Sequence, residues 1–93
     1  MSNKIVLSSL TLDLKRIALG LHKKSYRLAD RFNQEAIQRQ TEVKSEELPI
    51  YLQQVLSKVK ESLSLDNNEK KAEDLLMYST IIQNYVVYKM KIV

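Results

Sequence analysis

The stretch that decides the fold runs from Leu10 to Phe32 and reads LTLDLKRIALGLHKKSYRLADRF. Its apolar residues recur at intervals of three, four and seven positions, which is the period of an α-helix. On a helical wheel, six of them fall within about 60° of one another. These six are Leu10, Leu14, Ile17, Leu21, Leu28 and Phe32. A serine or threonine near the beginning can cap the helix and Asp13 is favourable in its first turn, so the pattern predicts one long helix over about 9–41.

Two shorter helices are predicted to follow the long one. Pro49 is tolerated in a first helical turn, and the apolar stripe that comes after it indicates a second helix over about 48–63. Asp66 and Glu69 have the spacing of a capping box, with aspartate in place of serine or threonine. This spacing predicts that a third helix begins there and covers about 67–91.

The composition also favours an all-helical fold. The 93 residues include one glycine and one proline, whereas sandwiches and barrels need turn residues about every 8 to 12 positions. Most of the other frequent residue types are good helix formers. A chain of this length makes one domain. We therefore expect residues 1–93 to form a single all-α domain, a three-helix up-down bundle with a long first helix.

The third predicted helix is apolar around most of its circumference. Two shorter neighbours cannot easily cover such a helix, so we expect another protein subunit, or a second copy of the chain, to complete the bundle. Tyrosine is enriched at protein interfaces. The residues expected to face the partner are Tyr78, Ile81, Tyr85, Tyr88 and Ile92. An alternative for residues 85–93 is a β-strand that pairs with Ile5-Val6-Leu7, because β-branched and aromatic residues are frequent there.

The expected compartment follows from what the composition lacks. There are no cysteines, which excludes disulfides, thiolate nucleophiles and zinc fingers and favours a reducing compartment. The apolar run at residues 5–7 is too brief for the core of a signal peptide. No run of about 18 apolar residues exists that could span a membrane. We therefore expect a cytoplasmic protein.

Positive charge is concentrated in the first predicted helix. Between Lys15 and Arg31, six basic residues stand against one acidic residue, while the whole chain carries a net charge of +4. Most of these basic side chains fall on one side of the helix, roughly opposite its apolar face. The residues expected to contact phosphates are Arg16, Lys23, Lys24, Arg27, Arg31 and Gln34. Because guanidinium groups bind phosphate oxygens in pairs, this basic stripe predicts contact with a nucleic-acid backbone.

The basic stripe predicts little preference for sequence. The chain has neither a helix-turn-helix spacing nor the interleaved aromatic residues of RNA-binding modules, so phosphate contacts should dominate, to DNA or RNA alike. We expect a small non-enzymatic subunit of a larger assembly. Accessory small subunits of RNA-guided effector complexes work in this way, a comparison that rests on size, helical class and charge.

The basic stripe has other possible roles. It can meet an acidic protein, in which case the chain is a protein-only adaptor or a homo-oligomeric module with an antitoxin-like or scaffold role. It can also be an ordinary solvated helix face. Binding to a membrane surface is disfavoured, because the apolar face of the same helix is needed for the core.

Catalytic and metal-binding patterns are weak in this sequence. Arg16 and His22 have the spacing R-x5-H, which resembles the catalytic motif of HEPN ribonucleases. That family carries the motif late in its bundle, and a partly buried structural role is more typical for His22. Glu69, Glu73 and Asp74 can approach one another on the third helix, but no Glu-x-x-His motif accompanies them. We expect no catalytic residues, no metal and no cofactor.

Overall fold

The residues of the predicted first helix form two helices. The computed structural model describes residues 2–90, and the regular structure of that part of the chain is entirely helical. It consists of α1 (Asn3–His22), α2 (Tyr26–Thr41), a short 3-10 turn (Ser45–Glu47), α3 (Ile50–Leu63) and α4 (Glu69–Lys89). The all-α class is confirmed. The predicted three-helix bundle is wrong, because the fold is a four-helix bundle.

Consecutive helices of the bundle run in opposite directions. Asn33 in the middle of α2 donates to the carbonyl of Leu63 at the end of α3, whereas Gln40 near the end of α2 donates to the carbonyl of Leu56. α4 then returns along α1, so that α1 lies between α2 and α4. The bundle measures 40 × 22 × 20 Å. No helix of the described residues is long and apolar enough to cross a bilayer.

The break between α1 and α2 is a tight turn at Lys24, which adopts a left-handed φ of 57°. The amide of Ser25 donates to the carbonyl of Gly20 over 2.8 Å, and the amide of Lys24 donates to the carbonyl of Leu21 over 3.1 Å. This is the hydrogen-bond pattern of a Schellman motif, in which glycine or asparagine normally adopts the left-handed conformation. Because a lysine does so here, the sequence lacks the glycine or asparagine that usually marks such a helix end, and the helix predicted over 9–41 is wrong.

Gly20 lets α2 lie close to α1 beside this turn. A β-carbon at Gly20 would lie 3.1 Å from the amide nitrogen of Ala29 and 3.3 Å from its α-carbon. The buried residues of α2 are all short: Ala29, Asn33 and Ala36. The two helices therefore approach each other backbone to backbone, and α2 contributes little apolar bulk to the core.

The core is built mainly from α1, α3 and α4. Each fully buried aliphatic side chain stabilises the fold by roughly 1.5–3 kcal/mol. The fully buried aliphatic residues include Leu7, Leu10, Leu14, Ile17, Leu52, Val59, Leu75 and Ile82. Leu28 and Phe32, which were predicted to complete the apolar face of a long first helix, are only partly buried. The turn at Lys24 changes the direction in which these two side chains leave the helix.

The ends of the other helices agree more closely with the predictions. α3 ends at Leu63 as predicted, and Pro49 immediately precedes its first turn. α1 begins at Asn3 instead of near residue 9, so the alternative of a strand at residues 5–7 is wrong. Residues 85–89 are the last helical residues of α4, which excludes a strand there as well. The remainder of that prediction, residues 91–93, lies outside the described residues.

Two side chains organise the connection between α3 and α4. The side chain of Asn68, not the predicted Asp66, caps α4 by accepting a hydrogen bond from the amide of Lys71 over 2.8 Å. Lys71 is buried, and its Nζ donates to the carbonyl of Leu65 over 3.0 Å and to Oδ1 of Asn67 over 3.3 Å. Burial lowers the pKa of Lys71, which the negative charges of nearby aspartates partly oppose. Lys71 therefore satisfies polar groups that the end of α3 leaves without helical partners.

The connection between α2 and α3 is attached to the beginning of α1. Oδ1 of Asn3 accepts a hydrogen bond from the amide of Lys44 over 2.9 Å, and Nδ2 of Asn3 donates to the carbonyl of Lys44 over 3.0 Å. Asn3 is buried, so these bonds replace water at both ends of its amide. This pair of bonds fixes the segment before α3 against the first turn of α1.

The turn at Lys24 generates a prediction about stability. Left-handed φ values cost a lysine about 1 kcal/mol more than a glycine, so we expect Lys24→Gly to stabilise the protein by about that amount. In thermal unfolding followed by circular dichroism, the melting temperature should rise by about 4–8 °C. Lys23→Gly is the matched control, since it removes the same charge where φ is −84° and should lower the melting temperature. Equal effects of the two substitutions would contradict this account of the turn.

Candidate functional site

The six residues of the predicted basic stripe lie on two helices and the turn between them. Arg16 is on α1, Lys23 and Lys24 are in the turn, and the other three are on α2. All six are exposed. A straight stripe along one helix is therefore wrong, and we use the name basic surface for these residues as the structure arranges them. The basic surface consists of Arg16, Lys23, Lys24, Arg27, Arg31 and Gln34.

Phe32 is the point at which the two helices of the basic surface meet. The guanidinium carbon of Arg16 lies 5.1 Å from the centroid of the Phe32 ring, and that of Arg31 lies 5.5 Å from it. Both distances are within the range of cation–π contacts. Phe32 packs with its inner side against the core. One partly buried ring therefore positions two guanidinium groups that are 15 positions apart in the sequence.

The charges of the basic surface are mostly not neutralised by acids. Among the described residues, Arg16 has an ion pair with Asp13, at 3.9 Å from Nη1 to Oδ1, while no carboxylate lies within ion-pair distance of Lys23, Lys24, Arg27 or Arg31. The one acidic residue of this segment, Asp30, instead accepts a hydrogen bond from Nδ2 of Asn67 over 2.9 Å. The surface therefore presents several positive charges that are available to an anion.

Asp13 is a buried charge beside the basic surface. It is only 3% exposed, and Nε of Arg39 lies 3.7 Å from its Oδ2. Neither of these two atoms has a hydrogen-bond partner in the protein. Burial raises the pKa of Asp13, and the negative charge of Glu35 adds to this, whereas Arg39 and Arg16 act in the opposite direction. The sequence predicted Asp13 in the first turn of a helix, but α1 begins at Asn3 and Asp13 lies in its interior.

Arg39 connects this buried carboxylate to the protein surface. Its Nη1 lies 3.5 Å from a carboxylate oxygen of Glu42, in addition to its contact with Asp13. The positive charge of Arg39 is therefore divided between two acids, and Glu35 lies nearby on the same helix. For this reason the basic surface is confined to the end of the α1–α2 pair that contains the turn, and does not extend along all of α2.

The predicted protein interface on α4 is only partly exposed. Tyr78 and Tyr85 pack against the core, and the ring of Tyr85 makes an edge contact with Tyr51 of α3 at a centroid distance of 6.3 Å. Ile81 is half-buried, whereas Tyr88 is 70% exposed. Ile92 lies outside the described residues. The structure thus assigns two of the tyrosines a packing role, and an interface at this face of α4 stays a prediction.

The weak catalytic and metal-binding candidates do not come together in a site. His22 is exposed in the last turn of α1, so the prediction that it is partly buried is wrong. On α4, Asp74 forms an ion pair of 3.0 Å with Lys70, a pairing within one helix. Within residues 2–90 there is no group of three histidine, aspartate or glutamate side chains that could hold a metal ion.

A groove of about 600 Å³ lies between the end of α2 and α3. Its lining is mainly apolar and hydroxyl-bearing, and it includes Ile37, Val43, Leu56 and Leu63. Lys60 is its one charged side chain. A groove with this lining offers apolar contact to a partner but holds no carboxylate or imidazole that could act as a general base.

The sequence matches no protein-family model, and neither a curated protein nor a solved structure matches it. Its function is therefore inferred from its residues and their arrangement.

The buried charge of Asp13 generates a prediction about pH. Because the pKa of Asp13 is raised in the folded protein, the folded state binds the proton more tightly than the unfolded chain does. The contribution of Asp13 to stability therefore falls as the pH rises above about 4 and through the folded-state pKa. We therefore expect Asp13→Asn, which keeps the shape without the charge, to be more stable than the natural protein at pH 7. The difference should shrink toward pH 4.

Thermal unfolding at a series of pH values measures this difference. Glu61→Gln makes the same change of charge at an exposed position of α3 and should show a much smaller effect. If Asp13→Asn were less stable than the natural protein at pH 7, the attraction of Arg39 and Arg16 would outweigh the cost of burying the carboxylate.

Proposed function

We propose that this protein is a small non-enzymatic subunit of a larger cytoplasmic assembly, in which the basic surface contacts the backbone of a nucleic acid. The observation that carries the proposal is the meeting of Arg16 and Arg31 on the ring of Phe32. Two guanidinium groups from different helices are thereby held side by side on a surface that carries three further positive charges.

This arrangement suits phosphate groups for a physical reason. A guanidinium group presents several N–H donors in one plane and can bind two phosphate oxygens at once. A side chain that already rests on an aromatic ring loses less conformational freedom when it binds. Arg27 and Arg31 are one helical turn apart on α2, about 6 Å along the axis, which is close to the spacing of successive phosphates.

The proposed contact has little dependence on base sequence. The charged residues of the basic surface suit phosphate oxygens, and Tyr26, which is 48% exposed, is the one exposed aromatic ring beside them. Recognition of bases normally needs side chains aimed at base edges or a set of stacking rings. A subunit that holds a nucleic acid selected by other components, such as an accessory small subunit of an RNA-guided effector complex, fits these properties.

A protein-only adaptor or homo-oligomeric module is the second candidate. It is favoured by the number of large apolar side chains that are half-exposed or more on α1 and α4, among them Leu12, Leu19, Met77 and Tyr88. Exposed apolar residues of this kind mark protein contacts when they form a patch. In this second function the basic surface meets an acidic protein.

Reversal of charge on α2 tests the proposed function. We expect Arg27→Glu combined with Arg31→Glu to weaken binding to nucleic acid by tenfold or more at low salt. The probes are fluorescein-labelled single-stranded RNA and duplex DNA of about 20 nucleotides or base pairs. The slope of the logarithm of the binding constant against the logarithm of the salt concentration should become smaller in magnitude by about two. Fluorescence anisotropy over a series of salt concentrations measures both quantities.

Lys58→Glu combined with Lys60→Glu is the matched control. Both lysines are exposed on α3, and the control changes the net charge by the same amount. Equal losses in the two variants would mean that the effect is one of net charge and not of the basic surface. If the natural protein binds neither probe, the nucleic-acid function is refuted and the protein-only adaptor stands.

The ring of Phe32 has its own test. Phe32→Leu keeps an apolar side chain against the core but removes the aromatic face under Arg16 and Arg31. Because each cation–π contact contributes about 0.5–1 kcal/mol at an exposed site, we expect binding to the same probes to weaken by about two- to tenfold. A Phe32→Leu variant that folds and binds like the natural protein would contradict the positioning role of the ring.

A further inference from the structure

Three aliphatic side chains of α1 lie on its solvent side. Ile5, Leu12 and Leu19 are 53%, 51% and 50% exposed. They are seven residues apart, so they fall within about 40° of one another around the helix and extend over about 21 Å. Aliphatic residues repeat at this spacing of seven along the contact line between the helices of a coiled coil. α1 therefore carries one apolar face in the core and a second, which we name the outer stripe (Ile5, Leu12 and Leu19), toward solvent.

A groove between α1 and α4 adjoins the outer stripe. It has a volume of about 250 Å³. Leu12 lies on its α1 side and the half-exposed Val87 on its α4 side, and Nζ of Lys15 donates to Oε1 of Gln83 across it over 2.5 Å. The apolar surface thus continues from α1 onto α4. An elongated apolar groove between two helices is a surface against which a third helix packs.

The charges that α1 and its C-terminal turn place around the outer stripe have one sign. The charged residues of α1 and its C-terminal turn that remain accessible to solvent are Lys4, Lys15, Arg16, Lys23 and Lys24. The one acidic residue of α1, Asp13, is buried on the side that faces α2. A partner that covers the outer stripe therefore meets positive charge along its borders, and a complementary partner carries negative charge there.

We propose that the outer stripe and the adjoining groove bind an amphipathic helix of a partner protein, whose apolar seam is flanked by aspartate and glutamate residues. A second copy of this chain fits less well, because two α1 helices face to face would bring their lysines and arginines together. A lipid surface also fits less well, since the stripe is one residue wide and the surface beside it is concave. The site shares Arg16 and Lys23 with the basic surface but not Arg27 or Arg31 on α2, and it does not depend on the proposed nucleic-acid contact.

A synthetic helical peptide is the probe for this site. It has three heptads with isoleucine and leucine in the apolar seam and glutamate at the flanking positions, and its counterpart carries lysine at the flanking positions. We expect the acidic peptide to bind the full chain in fluorescence anisotropy, about tenfold or more tightly than the basic peptide. Leu12→Ser combined with Leu19→Ser should weaken binding of the acidic peptide by about tenfold or more, since apolar contact is lost.

Ile50→Ser combined with Leu65→Ser is the matched control. These two residues are 67% and 55% exposed and lie outside α1, so this variant should bind the acidic peptide like the natural protein. Because all four side chains are half-exposed or more, both variants should keep the circular dichroism spectrum of the natural protein. Arg27→Glu combined with Arg31→Glu should retain most of the peptide binding, which separates this site from the α2 residues of the basic surface.

Several results would overturn the proposal. It fails if the acidic peptide does not bind, if the basic peptide binds equally well, or if Leu12→Ser with Leu19→Ser has no effect. Sedimentation equilibrium that detects a dimer, dissociated by the same two substitutions, would assign the outer stripe to self-association. Tight binding to phosphatidylserine vesicles, lost in the same variant, would assign it to a lipid surface.

Discussion

The reversal of the chain at residues 23–25 is the constraint on which the rest of the structure depends. A continuous helix over residues 3–41 would be about 58 Å long and would hold Arg16 and Arg31 about 22 Å apart. The hydrogen bond from the amide of Ser25 to the carbonyl of Gly20 closes the turn, and the missing side chain of Gly20 admits the backbone of α2. The basic surface around Phe32 and the pairing of Asp13 with Arg39 both follow from this single turn.

The helical class and, to within two residues, the two ends of α3 could be predicted from the sequence, because apolar periodicity and a scarcity of glycine and proline reflect local chemistry. The turn could not be predicted, because Lys24 adopts a left-handed backbone conformation that lysine rarely adopts. The apolar period continues through the turn, with Leu21 before it and Leu28 and Phe32 after it. A turn of only three residues does not visibly interrupt the spacing of apolar residues. The sequence pattern of one continuous helix is therefore the same as that of two helices folded back on each other.

The candidate site was predictable in composition but not in geometry. Exposure of the basic residues follows from their charge, since a lysine or arginine is rarely buried without a partner. The contacts of Phe32 with two arginines, and the burial of Asp13, depend on which helix lies beside which, and no local pattern encodes that. The outer stripe could not be predicted for a related reason: Leu12 and Leu19 interrupt the polar side of α1 only once every two turns, and the core residues of α1 have a stronger apolar period.

The two hydrogen bonds between Asn3 and Lys44 have a consequence for the dynamics of the molecule. The first turn of a helix ordinarily frays by itself, and a connecting segment ordinarily opens by itself. Here the first turn of α1 cannot unwind without also releasing the segment that leads into α3, so the two segments open and close as one cooperative unit. Ile5 belongs to that first turn, and a helix seated on the outer stripe would therefore also slow hydrogen exchange in a segment that it does not touch.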